Sequence, residues 1–236
     1  MLPGTISVTG GRIRDPYFAN VALLLHGNGA NGAGIVDSSS NAFSIVAGGD
    51  AACRTAVSKF GGASIGLDGT GDWLVADSTF AAPGSGDMTI EAWVYPTNGA
   101  KQQCVMDFRL QNGDYEPRID FDNTFDGGNN DGFVFFVGNA ARAATTTLAL
   151  NTWYHLAVSR NGGVWRFFLN GAQVGSDFSL TTNMTRRKLS LGTYWDARGT
   201  NASYKFQGYV DDFRLTIGVG RYAANFTPPA SQYPDG

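Results

Sequence analysis

The chain has 236 residues and a net charge of −3, with 43% hydrophobic and 16% charged residues. This hydrophobic content excludes a disordered chain, and 32 glycines beside 13% aromatic residues indicate many short strands joined by tight turns. Arg186, Arg187 and Lys188 form an isolated triplet and no basic stripe accompanies it, which argues against a nucleic-acid partner.

The chain is predicted to form one folded domain, because all-β proteins of this length are often not divided further. We expect residues 1–20 to be an extended N-terminal arm, punctuated by Gly and Pro, and residues 21–236 to be a single β-sandwich domain. The first residues contain no apolar segment of the kind found in secretory signals, and the run 21–25 is too short to span a bilayer. A product made in the cytoplasm is therefore expected.

Short apolar runs separated by turn residues predict strands along the whole domain. The predicted strands are 21–26, 63–67, 73–76, 88–95, 104–110, 116–121, 132–137, 153–160, 164–169, 172–175, 189–192 and 206–216. The runs 63–67 and 73–76 are predicted to pair as a hairpin, and so are 153–160 and 164–169 across an Asn-Gly-Gly turn. No segment has a sustained helical period, so little helix is expected.

Strand 88–95 alternates clearly between two faces. Ile90, Ala92 and Val94 share one face, and Thr89, Glu91, Trp93 and Tyr95 share the other. Two cysteines, Cys53 and Cys104, allow at most one intramolecular disulfide. They are interpreted as buried free thiols, with their pairing left open.

Several motifs occur in a definite order along the chain. They are LLLH at 23–26, KFGG at 59–62, LDGTGDW at 67–73, TIEAWV at 89–94, WYHLAVSR at 153–160, FLNG at 168–171 and GYVDDFRLTIGVGRYAANFTPP at 208–229. Together they resemble laminin-G-like domains of the concanavalin A-like lectin/glucanase superfamily. The resemblance implies an all-β, antiparallel two-sheet jelly-roll sandwich. The run at 221–229 is most similar to phage virion structural proteins.

Glucanases share this fold, which makes glycoside hydrolysis a candidate activity. Retaining hydrolysis needs two carboxylates about 5–5.5 Å apart, which on one strand gives an E-x-D-x-x-E pattern. Glu91 stands alone on its strand, and Asp120 and Asp122 lack a third acid at the required spacing. His155 is predicted to be a buried structural residue and His26 to be partly exposed, and neither has a nucleophile signature. We therefore predict that the protein is not an enzyme.

A structural Ca²⁺ ion is the cofactor that the resemblance implies, held between an early loop and the last strand. Asp37 and Asp211 are the positions that match it, and carboxylate oxygens are the ligands that Ca²⁺ prefers. In the alternative, Asp211 and Asp212 cap turns or pair with Arg214 or Arg221.

A glycan site is predicted at Tyr194, Trp195, Asp196 and Arg198, where aromatic rings and polar side chains follow a strand. Rim exposure of this patch is expected. In the alternative, Trp195 folds over the core as a plug.

These features predict a non-enzymatic virion protein, either a capsid decoration or a tail-associated component, acting as a homo-oligomer. Its partners would be other virion proteins, cell-surface glycans or both. The alternative functions are a glycan-binding host-attachment module and a carbohydrate-binding domain of a bacterial surface protein.

Overall fold

The computed structural model describes residues 7–9, 12–100, 102–109, 115–122, 132–181, 183–185, 187–194 and 204–236. Within these ranges the chain forms strands, and a short 3₁₀ turn lies at Phe18–Asn20. The strands are β1 Ser7–Thr9, β2 Arg12–Arg14, β3 Val21–Leu25, β4 Ile45–Gly48, β5 Ala52–Arg54, β6 Ser64–Asp68, β7 Trp73–Ala76, β8 Met88–Pro96, β9 Gln103–Asp107, β10 Arg118–Asp122, β11 Gly132–Val137, β12 Ala140–Ala144, β13 Tyr154–Asn161, β14 Val164–Leu169, β15 Ala172–Ser179, β16 Ser190–Leu191 and β17 Gln207–Ile217. No helix in the described part of the chain is long and apolar enough to cross a membrane.

Two antiparallel sheets pack face to face. The seven-stranded sheet has the order β12-β11-β10-β9-β16-β7-β4, and the eight-stranded sheet has the order β15-β14-β13-β8-β17-β6-β5, with β3 pairing to β17. The predicted all-β jelly-roll sandwich with minimal helix is confirmed.

One apolar core lies between the sheets, built from alternate residues of each strand. Its members include Ile90, Val94, Leu156, Val158, Phe213 and Leu215 from the eight-stranded sheet, and Val105, Phe121, Phe133 and Phe135 from the seven-stranded sheet. The other face of the eight-stranded sheet, called the outer face below, carries the intervening residues of β8, β13 and β17.

The strand β17 changes its partner halfway along its length. Its first half pairs with β6, its second half pairs with β3, and β8 accompanies it throughout. The register to β8 shifts between Asp211 and Arg214, and Asp212 has a φ of 51°. This bulge bends the strand and turns both aspartates into the protein, where they are fully buried.

The hairpin of β13 and β14 is confirmed, with Asn161 opposite Val164. Gly162 and Gly163 have φ values of 59° and 79°, as a primed two-residue turn requires. The second turn, Asn170-Gly171, joins β14 to β15 in the same way, with φ values of 49° and 79°.

The predicted hairpin of 63–67 and 73–76 is wrong. β6 lies in the eight-stranded sheet and β7 lies in the seven-stranded sheet, so their connection arches across the edge of the sandwich. The buried carboxylate of Asp72 supports this arch by accepting the backbone N–H of Asp68 at 2.9 Å and of Asp50 at 2.8 Å. The residues between β6 and β7 correctly predict a turn. They do not indicate which sheet the chain enters after it.

Three further features differ in detail from the sequence prediction. The described part of the arm 1–20 contains the antiparallel pair β1–β2, and its Asp15 is buried. The strands β4 and β5 lie between residues 26 and 63, where the sequence predicts no strand, and β12 is likewise absent from the predicted strands. Both cysteines are free and buried, as predicted.

Residues 218–236, called the strap below, cross the outer face of the eight-stranded sheet. Tyr222 and Phe226 stack with ring centroids 3.6 Å apart and pack against Phe168 of β14. The backbone N–H of Phe226 donates to the carbonyl of Gly171 at 2.9 Å. The strap therefore rests directly on the turn that joins β14 to β15.

We predict that Gly171→Ala destabilises the protein more than Gly162→Ala does. Both positions have positive φ, but a Cβ at Gly171 would lie 1.9 Å from the Phe226 carbonyl oxygen, whereas a Cβ at Gly162 meets nothing within 4 Å. Overpacking of this kind costs about 1–3 kcal/mol, beyond the backbone strain that both variants share. Urea unfolding of the two variants measures the difference. Equal destabilisation would show that the strap does not rest on this turn.

Candidate binding face on the eight-stranded sheet

The outer face is divided into a covered half and an open half. Thr89, Glu91, Trp93 and Tyr95 lie in sequence along it on β8. The strap covers the half around Thr89 and Glu91, since Arg221 donates its backbone N–H to the Thr89 hydroxyl at 2.8 Å. The half around Tyr95 is only partly buried.

The carboxylate of Glu91 is the centre of the covered half. Its Oε1 accepts Nε and Nη2 of Arg214 at 3.0 and 2.8 Å. Its Oε2 accepts the hydroxyls of Tyr222 and Tyr233 at 2.7 and 2.8 Å. Burial alone would raise the pKa of Glu91, but Arg214 and Arg221 overcome it and lower the pKa to about 2. The side chain is therefore an ionised structural group at neutral pH.

A second carboxylate, Asp15, joins the arm to the same network. It accepts Nη1 and Nη2 of Arg221 at 3.0 and 2.6 Å, and Nη1 of Arg214 at 2.9 Å. The Nε of Arg221 donates to the Thr216 hydroxyl at 2.8 Å. Two guanidinium groups and two carboxylates thus balance one another inside the protein, as buried charges must.

His155 is buried beside this network, as the sequence predicts. Its Nε2 lies 2.9 Å from the hydroxyl of Tyr233, which in turn bonds to Glu91. Burial, together with the charges of Arg214 and Lys59, lowers the pKa of His155 to about 4, so the ring is neutral at pH 7. Its Nδ1 has no hydrogen-bond partner within the described part of the chain.

His26 was expected to be partly exposed, and this is wrong, because it is only 5% exposed. Its Nδ1 contacts the carboxylate of Asp212, and its Nε2 lies 2.7 Å from the carboxylate of Asp235 in the strap. Burial alone would lower the pKa of His26, but these two carboxylates raise it. His26 therefore ties the end of the strap to the bulge in β17.

The open half carries three half-buried aromatic side chains, Tyr209, Tyr95 and Trp153, called the aromatic row below. Tyr209 lies opposite Tyr95 in the pairing of β17 with β8. The ring centroids of Tyr95 and Tyr209 are 5.9 Å apart, and those of Tyr95 and Trp153 are 5.2 Å apart. The rings are inclined to Tyr95 by 73° and 56°, so the row forms a notched surface rather than a flat one.

Polar side chains surround the aromatic row. On one side, Nζ of Lys59 lies 3.8 Å from the ring centre of Trp93. On the other side, Nδ2 of Asn98 donates to Oε1 of Gln207 at 2.8 Å. Beyond Tyr209, the side chain of Arg54 lies against Gly66, which pairs with Tyr209. It fills the space that a Cβ on Gly66 would take. The row therefore combines apolar ring surface with cationic and amide groups at its borders.

The structure gives the predicted calcium ligands other roles. Asp37 accepts the backbone N–H groups of Leu24 and Ser39 at one oxygen, and the Ser39 hydroxyl and the Phe43 N–H at the other. One oxygen of Asp211 accepts the N–H groups of Lys59 and Phe60 at 2.8 and 3.0 Å. These contacts match the turn-capping alternative. A calcium ion at this pair stays a prediction.

Burial raises the pKa of Asp211 to about 7, and its Oδ1 has no partner among the described residues. A different group of acids, Asp50, Asp68 and Asp72, has carboxylate oxygens within 4.8 Å of one another. The sequence analysis did not single out this group. Asp72 accepts backbone N–H groups at both of its oxygens, which is a structural role.

Of the predicted glycan patch, Tyr194 is described, and it is not exposed. Its hydroxyl donates to the buried carboxylate of Asp120 at 2.9 Å, and its ring packs against Tyr204 with centroids 4.6 Å apart. The hydrogen bond to Asp120 holds the ring down on the outer side of the seven-stranded sheet. The other members of the patch, Trp195, Asp196 and Arg198, lie outside the described residues.

Sequence reasoning missed the aromatic row. The alternation of strand 88–95 correctly separated Tyr95 from the core-facing residues. The same alternation in 206–216 would have placed Tyr209 on the outer face of its own strand. Neither pattern indicates which strands are neighbours, so the three rings could not be brought together without the sheet order.

We predict that Glu91→Gln removes about 3–5 kcal/mol of stability at pH 7, because it leaves the buried guanidinium groups without their counter-charge. The contribution of ionised Glu91 is complete above its ordinary pKa of 4.5 and is lost as the pH falls toward 2. The difference in stability between wild type and variant should therefore shrink over that interval.

Denaturant unfolding between pH 7 and pH 2.5 measures this difference, with Asp177→Asn as the control. Asp177 pairs with Arg166 at the surface, so its loss should change stability little at any pH. A Glu91→Gln variant as stable as the control at pH 7 would contradict the central role of the network.

The comparisons with known proteins agree with this architecture. A laminin-G-type family, described as the concanavalin A-like lectin/glucanases superfamily, matches residues 68–217. No curated protein matches the chain significantly.

Several solved structures share the fold at low sequence identity. The botulinum neurotoxin serotype D binding domain has a TM-score of 0.61 and 11% identity, covering 87% of this chain and 50% of that one. The binding domain of botulinum neurotoxin DC in complex with rat synaptotagmin II has a TM-score of 0.58 and 13% identity, covering 93% and 50%. The chain thus spans about half the length of these toxin domains.

Domain 4 of AbnA, an extracellular arabinanase from Geobacillus stearothermophilus solved with arabinotriose, has a TM-score of 0.56 and 17% identity. This similarity covers 85% of the present chain and 94% of that domain. At such identities the structural likeness establishes the fold alone. The family match extends over more than half of the chain, and the chain therefore belongs to the concanavalin A-like lectin/glucanases superfamily.

Proposed function

We propose that the protein is a non-catalytic saccharide-binding module that uses the aromatic row on the open half of its outer face. The observation that carries this proposal is the close packing of Tyr209 on β17, Tyr95 on β8 and Trp153 immediately before β13, each partly exposed. Aromatic rings held by a packed sheet are rigid, so little side-chain entropy is lost when a ligand binds.

The chemistry of the row suits a sugar chain. The C–H faces of sugar rings pack on aromatic rings, while the sugar hydroxyls need donors and acceptors at the edges of the contact. Gln207 and Asn98 supply amides at one edge, and Lys59 supplies an ammonium at the other. Burial lowers the pKa of Lys59, and the nearby carboxylate of Asp211 partly opposes this effect.

The comparisons support the same class of ligand. The arabinanase domain, which matches the present chain over nearly its whole length, was solved with arabinotriose. The superfamily is defined by lectins and glucanases. A short neutral oligosaccharide is therefore the first ligand to test.

The absence of catalysis is part of the proposal. A glycosidase acid must carry a proton at the working pH, which requires a raised pKa. Glu91 has instead a pKa of about 2, and both of its oxygens accept hydrogen bonds from Arg214 and the two tyrosines. This carboxylate holds the strap and is poorly suited to proton transfer.

We predict that Trp153→Ala and Tyr209→Ala each weaken oligosaccharide binding about tenfold, equal to ~1.4 kcal/mol. Isothermal titration with arabinotriose and a glycan array on the same variants provide the measurement. Tyr115→Ala is the matched control, because Tyr115 is 59% exposed and lies outside the outer face. Melting temperatures establish that each variant is folded.

Binding that is unchanged in both row variants would contradict the use of this face. Failure of the wild-type protein to bind any glycan on the array would remove the saccharide-binding function itself.

We further propose that this binding module belongs to a phage virion, as a capsid decoration or a tail-associated component present in several copies. The resemblance of the run at 221–229 to phage structural proteins supports this role. In the structure the same run forms about half of the strap, and its stacked rings, Tyr222 and Phe226, lie over the outer face. A host-attachment module or a domain of a bacterial surface protein are the alternative settings.

Immunogold labelling of virions from the source tests the location. We expect label on the particle. Even label over heads would indicate decoration, whereas label confined to tails or fibres would indicate host attachment. Particles without label would contradict the virion role and leave the saccharide-binding proposal intact.

A further inference from the structure

A cavity of about 480 Å³ lies between the strap and the N-terminal arm. Asp15 and Pro16 line one side, Arg214 and Arg221 lie at its polar end, and residues 222–234 surround the rest. Its volume falls within the ~300–1,000 Å³ that small-molecule sites occupy. None of the three rings of the aromatic row lines it, so it is a separate site.

The two arginines of the cavity have unused donors. A guanidinium group carries five N–H bonds. Arg214 uses three of them, two to Glu91 and one to Asp15. Arg221 also uses three, to Thr216 and to both oxygens of Asp15. Two N–H bonds on each buried group therefore have no acceptor among the described residues.

The charge of the site selects a neutral ligand. Arg214 and Arg221 are balanced by Glu91 and Asp15, and the neutral ring of His155 adds nothing. An anion would enter a site with no surplus positive charge while lying close to two carboxylates. A cation would face two guanidinium groups. In both cases the loss of hydration would not be repaid by a net attraction.

The walls of the cavity are mostly apolar. Tyr222 and Phe226 contribute a stacked ring pair, and the remaining wall consists largely of proline and alanine. A ligand here needs C–H surface for the walls and oxygen acceptors for the arginine donors. A sugar ring meets both requirements.

We propose that this cavity binds a single neutral sugar unit, with its ring between the strap walls and its oxygen atoms accepting hydrogen bonds from Arg214 and Arg221. This site is independent of the aromatic row. The cavity can bind a monosaccharide whether or not the row binds an oligosaccharide.

The test is titration of the intact protein with L-arabinose, D-glucose, D-galactose and D-mannose, followed by saturation-transfer NMR and calorimetry. Ala224→Trp and Ala230→Trp place a bulky ring into the cavity from exposed wall positions, so both variants should fold. We expect each to weaken binding of the preferred monosaccharide at least tenfold. Ala47→Trp, at an exposed position of β4 in the other sheet, is the matched control and should bind like wild type.

Trp153→Ala separates this site from the aromatic row. In this background, which lacks one ring of the row, we expect Ala224→Trp still to weaken monosaccharide binding at least tenfold, because Ala224 lines the cavity and Trp153 does not. Loss of monosaccharide binding in Trp153→Ala but not in Ala224→Trp would overturn the cavity proposal while leaving the row intact. Absence of binding by all four sugars, or unchanged binding in both cavity variants, would also overturn it.

Discussion

The buried ion network around Glu91 is the constraint on which the rest of the structure depends. It joins Glu91 on β8, Arg214 on β17, Asp15 in the arm and Arg221 in the strap. An unpaired charge buried in this position would lower the stability of the fold by several kcal/mol. Each of the four side chains is therefore needed to neutralise the charge of the others. Residues separated by as many as 206 positions are thereby held at hydrogen-bond distance. Asp15 of the arm and Arg221 of the strap are consequently tied to the eight-stranded sheet.

This network divides the outer face into two regions with different chemistry. Under the strap, the polar groups satisfy one another, and Tyr222 and Tyr233 close the network by donating to Glu91. Beyond the strap, the same sheet presents aromatic rings that nothing in the described chain covers completely. The packed eight-stranded sheet thus supports both regions. The rigidity of this support is what makes partly exposed rings useful for recognition, since their geometry exists before a ligand arrives.

The bulge in β17 connects these regions. Because β17 leaves β6 and joins β3 at this point, Asp211 and Asp212 turn inward at the junction. Asp211 accepts two backbone N–H groups from the segment that positions Lys59 beside the open half. Asp212 contacts His26, which holds the end of the strap through Asp235. The bulge in β17 therefore orients both the Lys59 border of the aromatic row and the end of the strap.

The sequence by itself determined the fold class, most strands and the two Asn-Gly turns, because residue alternation and turn chemistry are local properties. It also separated the core-facing residues of β8 from Glu91 and Tyr95. It did not determine that β6 and β7 belong to different sheets, that Tyr194 is held down by Asp120, or that Tyr95 lies between Tyr209 and Trp153. Those facts depend on which strands are neighbours across long stretches of chain. Pairing of that kind is decided by burial of the whole sandwich, so only the tertiary structure could assemble the candidate sites.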